Sequence, residues 1–121
     1  MAKSKKNIRF SAFMLFILFL PITAFSIVFE NDFLKYEIAN DGRNLLFIDK
    51  TTGIDYLFTD SVSYCAHIEM DGEKVNVTSV SLKGNTLFFE FGPTGVTAEI
   101  RVTKTSDHIT CLLYTSDAAD E

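Results

Sequence analysis

Cys65, His67 and Glu69 stand at i, i+2 and i+4, the spacing that lines up three side chains on one face of a β-strand. A thiolate and an imidazole two residues apart can share a metal ion, and that pair would favour zinc. Zinc asks for three or four protein ligands, and no second cluster accompanies this one, so the plainer reading is the solvent face of a hairpin strand. Asp41, Asp49, Asp55, Asp60 and Glu69 supply carboxylates for acid–base work. A glycosidase pair must straddle a sugar at roughly 5–10 Å, and spacing along a meander sets no such distance. Asp41 and Asp60 stand where aspartate makes turns. No phosphate-cradling glycine loop, nucleophile elbow or histidine-rich metal motif occurs. The expectation is a stretch with no catalytic residue, no metal and no cofactor.

Binding residues are a different matter. Phe29, Phe33, Tyr36, Phe47, Tyr56, Phe58, Tyr64, Phe88, Phe89 and Phe91 could form a sugar-stacking platform, but most fall on the inward phase and read as core. Phe88 alternates outward beside Glu90. Asn76-Val77-Thr78 is a glycosylation sequon with Asn76 on the outward phase, and it would carry a glycan only in a eukaryotic export pathway. The loop Asp41-Gly42-Arg43-Asn44 offers Asp41, Arg43 and Asn44 as contacts to a ligand or a neighbouring domain, since loops on a rigid scaffold carry contacts. Its ordinary reading is a hairpin turn.

The elements that must position these residues are strands. After residue 27 no helical period appears, and the signal is alternation punctuated by turns. Val28-Phe29 opens a short strand. Leu34, Tyr36 and Ile38 alternate with Lys35 and Glu37. Asn40-Asp41-Gly42 turns the chain into Leu45-Leu46-Phe47-Ile48, apolar on both faces and therefore expected to be covered on both. Thr51-Thr52-Gly53 leads to Ile54, Tyr56 and Phe58. Val62, Tyr64, Ala66, Ile68 and Met70 point one way on a long strand. Asp71-Gly72 then matches a two-residue type I′ hairpin loop. Val75, Val77, Val80 and Leu82 return with a slip of phase near Thr78-Ser79, which suggests a bulge. Gly84-Asn85 turns into Leu87, Phe89 and Phe91. After Gly92-Pro93-Thr94-Gly95, Val96, Ala98, Ile100 and Val102 alternate, and a last strand begins at His108-Ile109-Thr110. About eight short strands at this spacing predict an all-β, antiparallel β-sandwich.

Both ends read as something other than folded domain. Lys3, Lys5, Lys6 and Arg9 form a basic n-region before an apolar run from Phe10 to Phe25, and Ala24-Phe25-Ser26 supplies small residues at −3 and −1. Residues 1–26 are thus expected to be a signal peptide cleaved before Ile27, placing the protein outside the cell or in the periplasm. The uninterrupted stretch Ala12 to Leu20 is far short of the roughly 20 residues that span a bilayer, and Pro21 breaks a helix there. Membrane contact is therefore expected to be transient. At the other end, Cys111-Leu-Leu-Tyr-Thr-Ser-Asp-Ala-Ala-Asp-Glu121, reverse-translated, resembles the transposon-end adapter of shotgun sequencing libraries. Residues 111–121 are accordingly expected to be non-native, with the natural chain running on past Thr110. On that reading residues 27–110 form an incomplete N-terminal sandwich domain, and a Cys65–Cys111 disulfide would mean nothing. The segment 27–110 holds seven basic and thirteen acidic residues, net −6, without basic clusters. Nucleic acid is not an expected partner.

The stretch from Phe29 to Tyr56, opening Phe29-Glu-Asn-Asp-Phe-Leu-Lys-Tyr36 and continuing to Asp49-Lys-Thr-Thr-Gly53, resembles the start of the N-terminal galactose-mutarotase-like "supersandwich" domains of large secreted bacterial glycoside hydrolases. The resemblance implies an accessory sandwich packed on a following catalytic domain of the same chain, often a barrel, with carbohydrate as a possible ligand. The catalytic carboxylates of such enzymes lie in that later domain, and none maps onto a residue here. The alternative from another class is an extracellular or cell-surface β-sandwich binding protein with no enzymatic activity.

Overall fold

The computed structural model describes residues 25–57 and 59–117, with backbone alone at 115–117. Phe58 and nearly all of the expected signal segment lie outside the described residues. The chain is all-β. A first sheet holds β1 (Ser26–Glu30), β2 (Leu34–Ala39), β3 (Asn44–Asp49) and β4 (Ile54–Asp55) in that spatial order. A two-stranded hairpin follows, β5 (His67–Met70) with β6 (Glu73–Asn76). A second sheet has the order β10-β9-β8-β7, from β7 (Ser79–Lys83), β8 (Thr86–Glu90), β9 (Thr97–Lys104) and β10 (Ile109–Asp117). Every strand pair is antiparallel, as hairpin connections require.

The alternating apolar residues of β8 and β9 build the core. Leu87, Phe89, Ala98 and Val102 are buried together with Val77, Val80 and Phe91. Ile27 and Phe29 reach this cluster from the first sheet, and Ala66, Ile68 and Val75 from the hairpin and the chain leading into it. The three sheets therefore share one apolar centre. Burying a side chain such as Phe89 contributes about 1.5–3 kcal/mol. Phe88 stands outward as expected, with the Lys83 ammonium 5.2 Å from its ring centre.

The turns follow their residues. Asp71 and Gly72 both take positive φ (52° and 79°), the requirement of the type I′ loop. Gly42 has φ 87°, and a Cβ built on it would lie 2.3 Å from Val77 Cγ1. Only glycine can make that turn while leaving Val77 its place in the core.

Four expectations need correcting. The long strand over residues 62–70 is only His67–Met70; Tyr64 makes a single bridge to Arg43, and Val62, Tyr64 and Met70 are exposed. Cys65 and Ala66 both pack toward the core, so the alternation breaks between them. The strand β3 is not covered on both faces, because Leu45 and Phe47 stay exposed. The slip near Thr78-Ser79 is not a bulge inside a strand. Val77 N donates to Ala66 O, whereas Thr78 N donates to Glu90 O. The chain changes sheets between them, and each sheet claims its own inward valine. The irregularities of register lie instead at Glu37/Ile38 and Leu113/Thr115. Finally, the aromatics are not mostly core: Phe33, Phe47, Tyr56 and Tyr64 are exposed.

The strand β10 runs through residues read as non-native. It pairs with β9 along its length, yet Leu112, Leu113 and Tyr114 each remain more than half exposed. Among its described side chains only Ile109 packs on the core. None of residues 111–114 belongs to the apolar centre.

Candidate functional site

The loop Asp41–Asn44 is held by backbone on two sides. Ala39 N donates to Arg43 O, Asn44 N to Ser63 O, and Cys65 N to Gly42 O, all within 2.8–2.9 Å. Asp41 closes the turn itself: Oδ1 accepts from Arg43 N at 3.1 Å and Oδ2 from Arg43 Nε at 2.7 Å. This is the Asx turn that aspartate favours, with an ion pair added. The pair is half exposed, so solvent screens it and it contributes little to stability. Its consequence is geometric, because it holds the guanidinium over the loop.

The three loop residues do not converge on one site. Asn44 is tied inward. The Tyr36 hydroxyl donates to its Oδ1, and its Nδ2 donates to Ser63 Oγ at 3.0 Å. Burial pushes the Tyr36 phenol well above its ordinary range, so it stays a donor at any physiological pH. Asp41 borders a cleft of about 240 Å³ with Tyr64, Asn76, Val77 and Thr78. Arg43 and Asn44 border another, of about 210 Å³, closed by Leu45, Asp55, Leu57, Thr59, Ser61 and Val62. In this second cleft Asp55 Oδ1 accepts from Phe47 N (3.1 Å) and Leu57 N (3.0 Å), which fixes the carboxylate at the end of β4. Asp55 Oδ2, Ser61 Oγ and both Arg43 Nη groups make no side-chain hydrogen bond among the described residues. Leu57 and Ser61 are residues that sequence reasoning passed over, and Asp55 was weighed there only as a carboxylate for acid–base work. They meet Arg43 only because β3 pairs with β4 and the chain then crosses back to bridge at Tyr64.

The carboxylates weighed as acids or bases are mostly engaged in turns. Asp49 Oδ1 accepts from the Thr51 hydroxyl (2.6 Å) and Thr51 N (2.8 Å), and these bonds, the hydroxyl first, hold its carboxyl below the usual range. Asp60 takes a long 3.4 Å bond from Thr59 Oγ1. Glu69 is exposed on β5.

The Cys65-His67-Glu69 triple does not form a ligand face. Cys65 packs on the core, while His67 and Glu69 are exposed on β5. Burial pushes the Cys65 thiol up to about 11, so at neutral pH it is protonated and a poor metal ligand or nucleophile. Among the described residues no group of three His, Cys, Asp or Glu is placed to hold a metal. Cys65 and Cys111 are both free thiols. The sequon is half-buried at Asn76, and Thr78 is occupied structurally. Its hydroxyl donates to Glu90 O and accepts from Gly92 N, joining the hairpin to the second sheet.

Phe29, Tyr36, Phe47 and Tyr56 form a row across the first sheet, set by the register Phe29↔Tyr36↔Phe47 and by Tyr56 N donating to Phe47 O. The Phe29 end lies against the core. The Phe47 and Tyr56 end, with Ile54 beside it, is open. Neighbouring rings meet edge to face, at 5.5 Å and 88° for Tyr36–Phe47 and 6.3 Å and 63° for Phe47–Tyr56. That is the packing rings adopt with one another, and it leaves no flat multi-ring surface for a sugar chain.

No family model, curated protein or solved structure matches this chain.

Proposed function

We propose that this chain is the N-terminal accessory β-sandwich of an exported, glycoside-hydrolase-like enzyme, non-catalytic by itself, which supports and shapes a catalytic domain later in the same polypeptide. The observation that carries the reading is the half-covered first sheet. Its apolar row runs unbroken from Phe29 in the core to Phe47, Ile54 and Tyr56 in solvent. A soluble monomer rarely leaves a contiguous apolar face open, and such faces mark interaction surfaces. The sequence resemblance over residues 29–56 names the kind of neighbour such a sheet packs against. The signal peptide, cleavage before Ile27 and delivery outside the cytoplasm belong to the same proposal, as does the non-native origin of residues 111–121.

Sequencing the encoding locus across the codon for Thr110 tests it directly. The expected result is an open frame of several hundred further codons with alternating β and α pattern. Further sandwich repeats or a C-terminal anchor would replace the enzyme reading by that of a surface binding protein. A genuine stop after Glu121 would end the incomplete-domain reading.

A further inference from the structure

We infer that Asp71-Gly72, at the tip of the β5–β6 hairpin, is a site of spontaneous covalent modification that rearranges to isoaspartate, while the fold keeps the chain's other aspartyl-glycine step, Asp41-Gly42, unreactive. The sequence contains these two Asp-Gly steps and no others. Glycine after aspartate leaves the approach to the peptide nitrogen free of a Cβ. The only co-reactant is water. The Gly72 nitrogen attacks Asp71 Cγ and a C–N bond forms. The carboxyl hydroxyl leaves with the amide proton as water. The resulting five-membered imide takes water back at either carbonyl. Opening at the side-chain carbonyl restores aspartate. Opening at the main-chain carbonyl leaves the backbone running through Cγ, with the free carboxylate on Cα. Nothing is oxidised or reduced, and the mass of the chain is unchanged.

The peptide N–H and the carboxyl must both be loose for this reaction. They are tied at one step and loose at the other. Gly42 N donates to Ala39 O at 2.9 Å, and Gly42 O accepts from Cys65 N at 2.8 Å. The two Asp41 oxygens accept from Arg43 N at 3.1 Å and Arg43 Nε at 2.7 Å. Gly42 is itself buried, against Val77. Swinging the Asp41 carboxyl onto Gly42 N would break the turn, part the ion pair and push on the core. At the hairpin tip, Gly72 N has no backbone partner among the described residues, and the Asp71 carboxylate enters no ion pair among them. Both residues are exposed, and a Cβ on Gly72 would meet nothing within 4 Å, so the imide ring has room. The hairpin is a two-stranded sheet that extends neither of the larger ones, and its last pair, Met70↔Glu73, joins exposed residues. Hairpin ends with so few buried contacts open at little cost. The extra backbone atom of isoaspartate is incompatible with a two-residue type I′ loop, so the modification loosens a hairpin that lends Ile68 and Val75 to the core.

The test ages the whole 121-residue protein at pH 6 over several weeks, one sample in plain buffer and one in concentrated urea. Peptide mapping with electron-transfer fragmentation counts isoaspartate at each step, because the two isomers fragment differently at equal mass. Methyl transfer from S-adenosylmethionine by an isoaspartyl methyltransferase, which acts on the free α-carboxylate, gives a second count. In plain buffer isoaspartate should build up at Asp71 at least about tenfold faster than at Asp41, as the difference in local opening requires. In urea the two steps should convert within about threefold of each other, since the restraints of the folded loop are gone. Equal or faster conversion at Asp41 in plain buffer would overturn the inference. So would a preference for Asp71 that persists unchanged in urea, because the fold would then not be its cause. Conversion at Asp71 in urea but none in plain buffer would also overturn it, by showing that the hairpin holds its tip as firmly as the first loop holds Asp41.

Discussion

Replacing Gly42 by alanine should be among the costliest single-methyl changes in this protein. Two costs add. The backbone at φ 87° lies in the left-handed region, where a non-glycine residue costs of order 1–3 kcal/mol. The new Cβ would also meet Val77 Cγ1 at 2.3 Å and Val77 Cβ and O at 3.4 Å. Val77 is 1 % exposed and belongs to the core, so it has no empty space to move into. Overpacking of that kind costs typically about 1–3 kcal/mol. Together the loss is about 2–6 kcal/mol, against a total stability of about 5–10 kcal/mol for a domain of this size. Gly53 provides the control. Its φ is 75°, and nothing lies within 4 Å of a methyl placed there, so Gly53→Ala carries the backbone strain alone. Urea unfolding followed by circular dichroism gives both values, provided that the m-value is unchanged. Gly42→Ala should exceed Gly53→Ala by at least about 1 kcal/mol. In Gly42→Ala/Val77→Ala the offending Cγ1 is gone, and the double mutant should be more stable than the two single losses add up to. Equal costs at Gly42 and Gly53, or strict additivity with Val77→Ala, would refute the contact between this turn and the core.

Three further outcomes follow from the packing and the electrostatics. Phe89→Ala, a large-to-small change at the centre of the shared core, should cost about 3–5 kcal/mol in the same urea assay; a loss below about 1 kcal/mol would mean that the second sheet does not close over the first. In a Cys111→Ser background, Cys65 should react with Ellman's reagent at pH 8 only after denaturant is added, because burial keeps its thiol protonated up to about 11. The raised value also means that its contribution to stability is complete below the ordinary thiol range and is lost as pH rises through about 11; fast labelling of the native protein would contradict the packing of Cys65. Glu30 should titrate below the ordinary carboxylate range, chiefly because Lys50 Nζ bonds its Oε1 at 3.0 Å. That contribution to stability is present above the ordinary range and disappears as pH falls through the lowered value; carboxyl ¹³C titration of Lys50→Met should show Glu30 moving back up, and an unchanged midpoint would disprove the pairing.

Most of the strands were legible from residues alone, for a physical reason. Alternation and turn chemistry are local: Leu87-Phe88-Phe89 shows its inward and outward phase without reference to anything distant, and Asp71-Gly72 announces its own loop. Local signals failed where distant parts of the chain compete for one residue. Val62 and Tyr64 alternate correctly with Ile68, yet among the described residues Tyr64 makes only an isolated bridge to Arg43, and β5 begins at His67. The phase slip at Thr78 reads as a bulge locally and is a change of sheet globally.

The candidate site was less legible than the fold. Arg43 stood out as a loop residue, but Asn44 proved to be engaged by Tyr36 and Ser63, and Asp41 faces a different cleft. Composition and periodicity decided that this protein is all-β, where its turns fall and which residues are able to form an apolar centre, since each depends on a few neighbours in the chain. Tertiary structure alone decided that Asp55 and Ser61 join Arg43, that Cys65 turns inward, and that the row from Phe29 to Tyr56 is covered at one end and open at the other. Those outcomes depend on which strands pair and how far one sheet extends over another, and that is set by contacts between residues far apart in sequence.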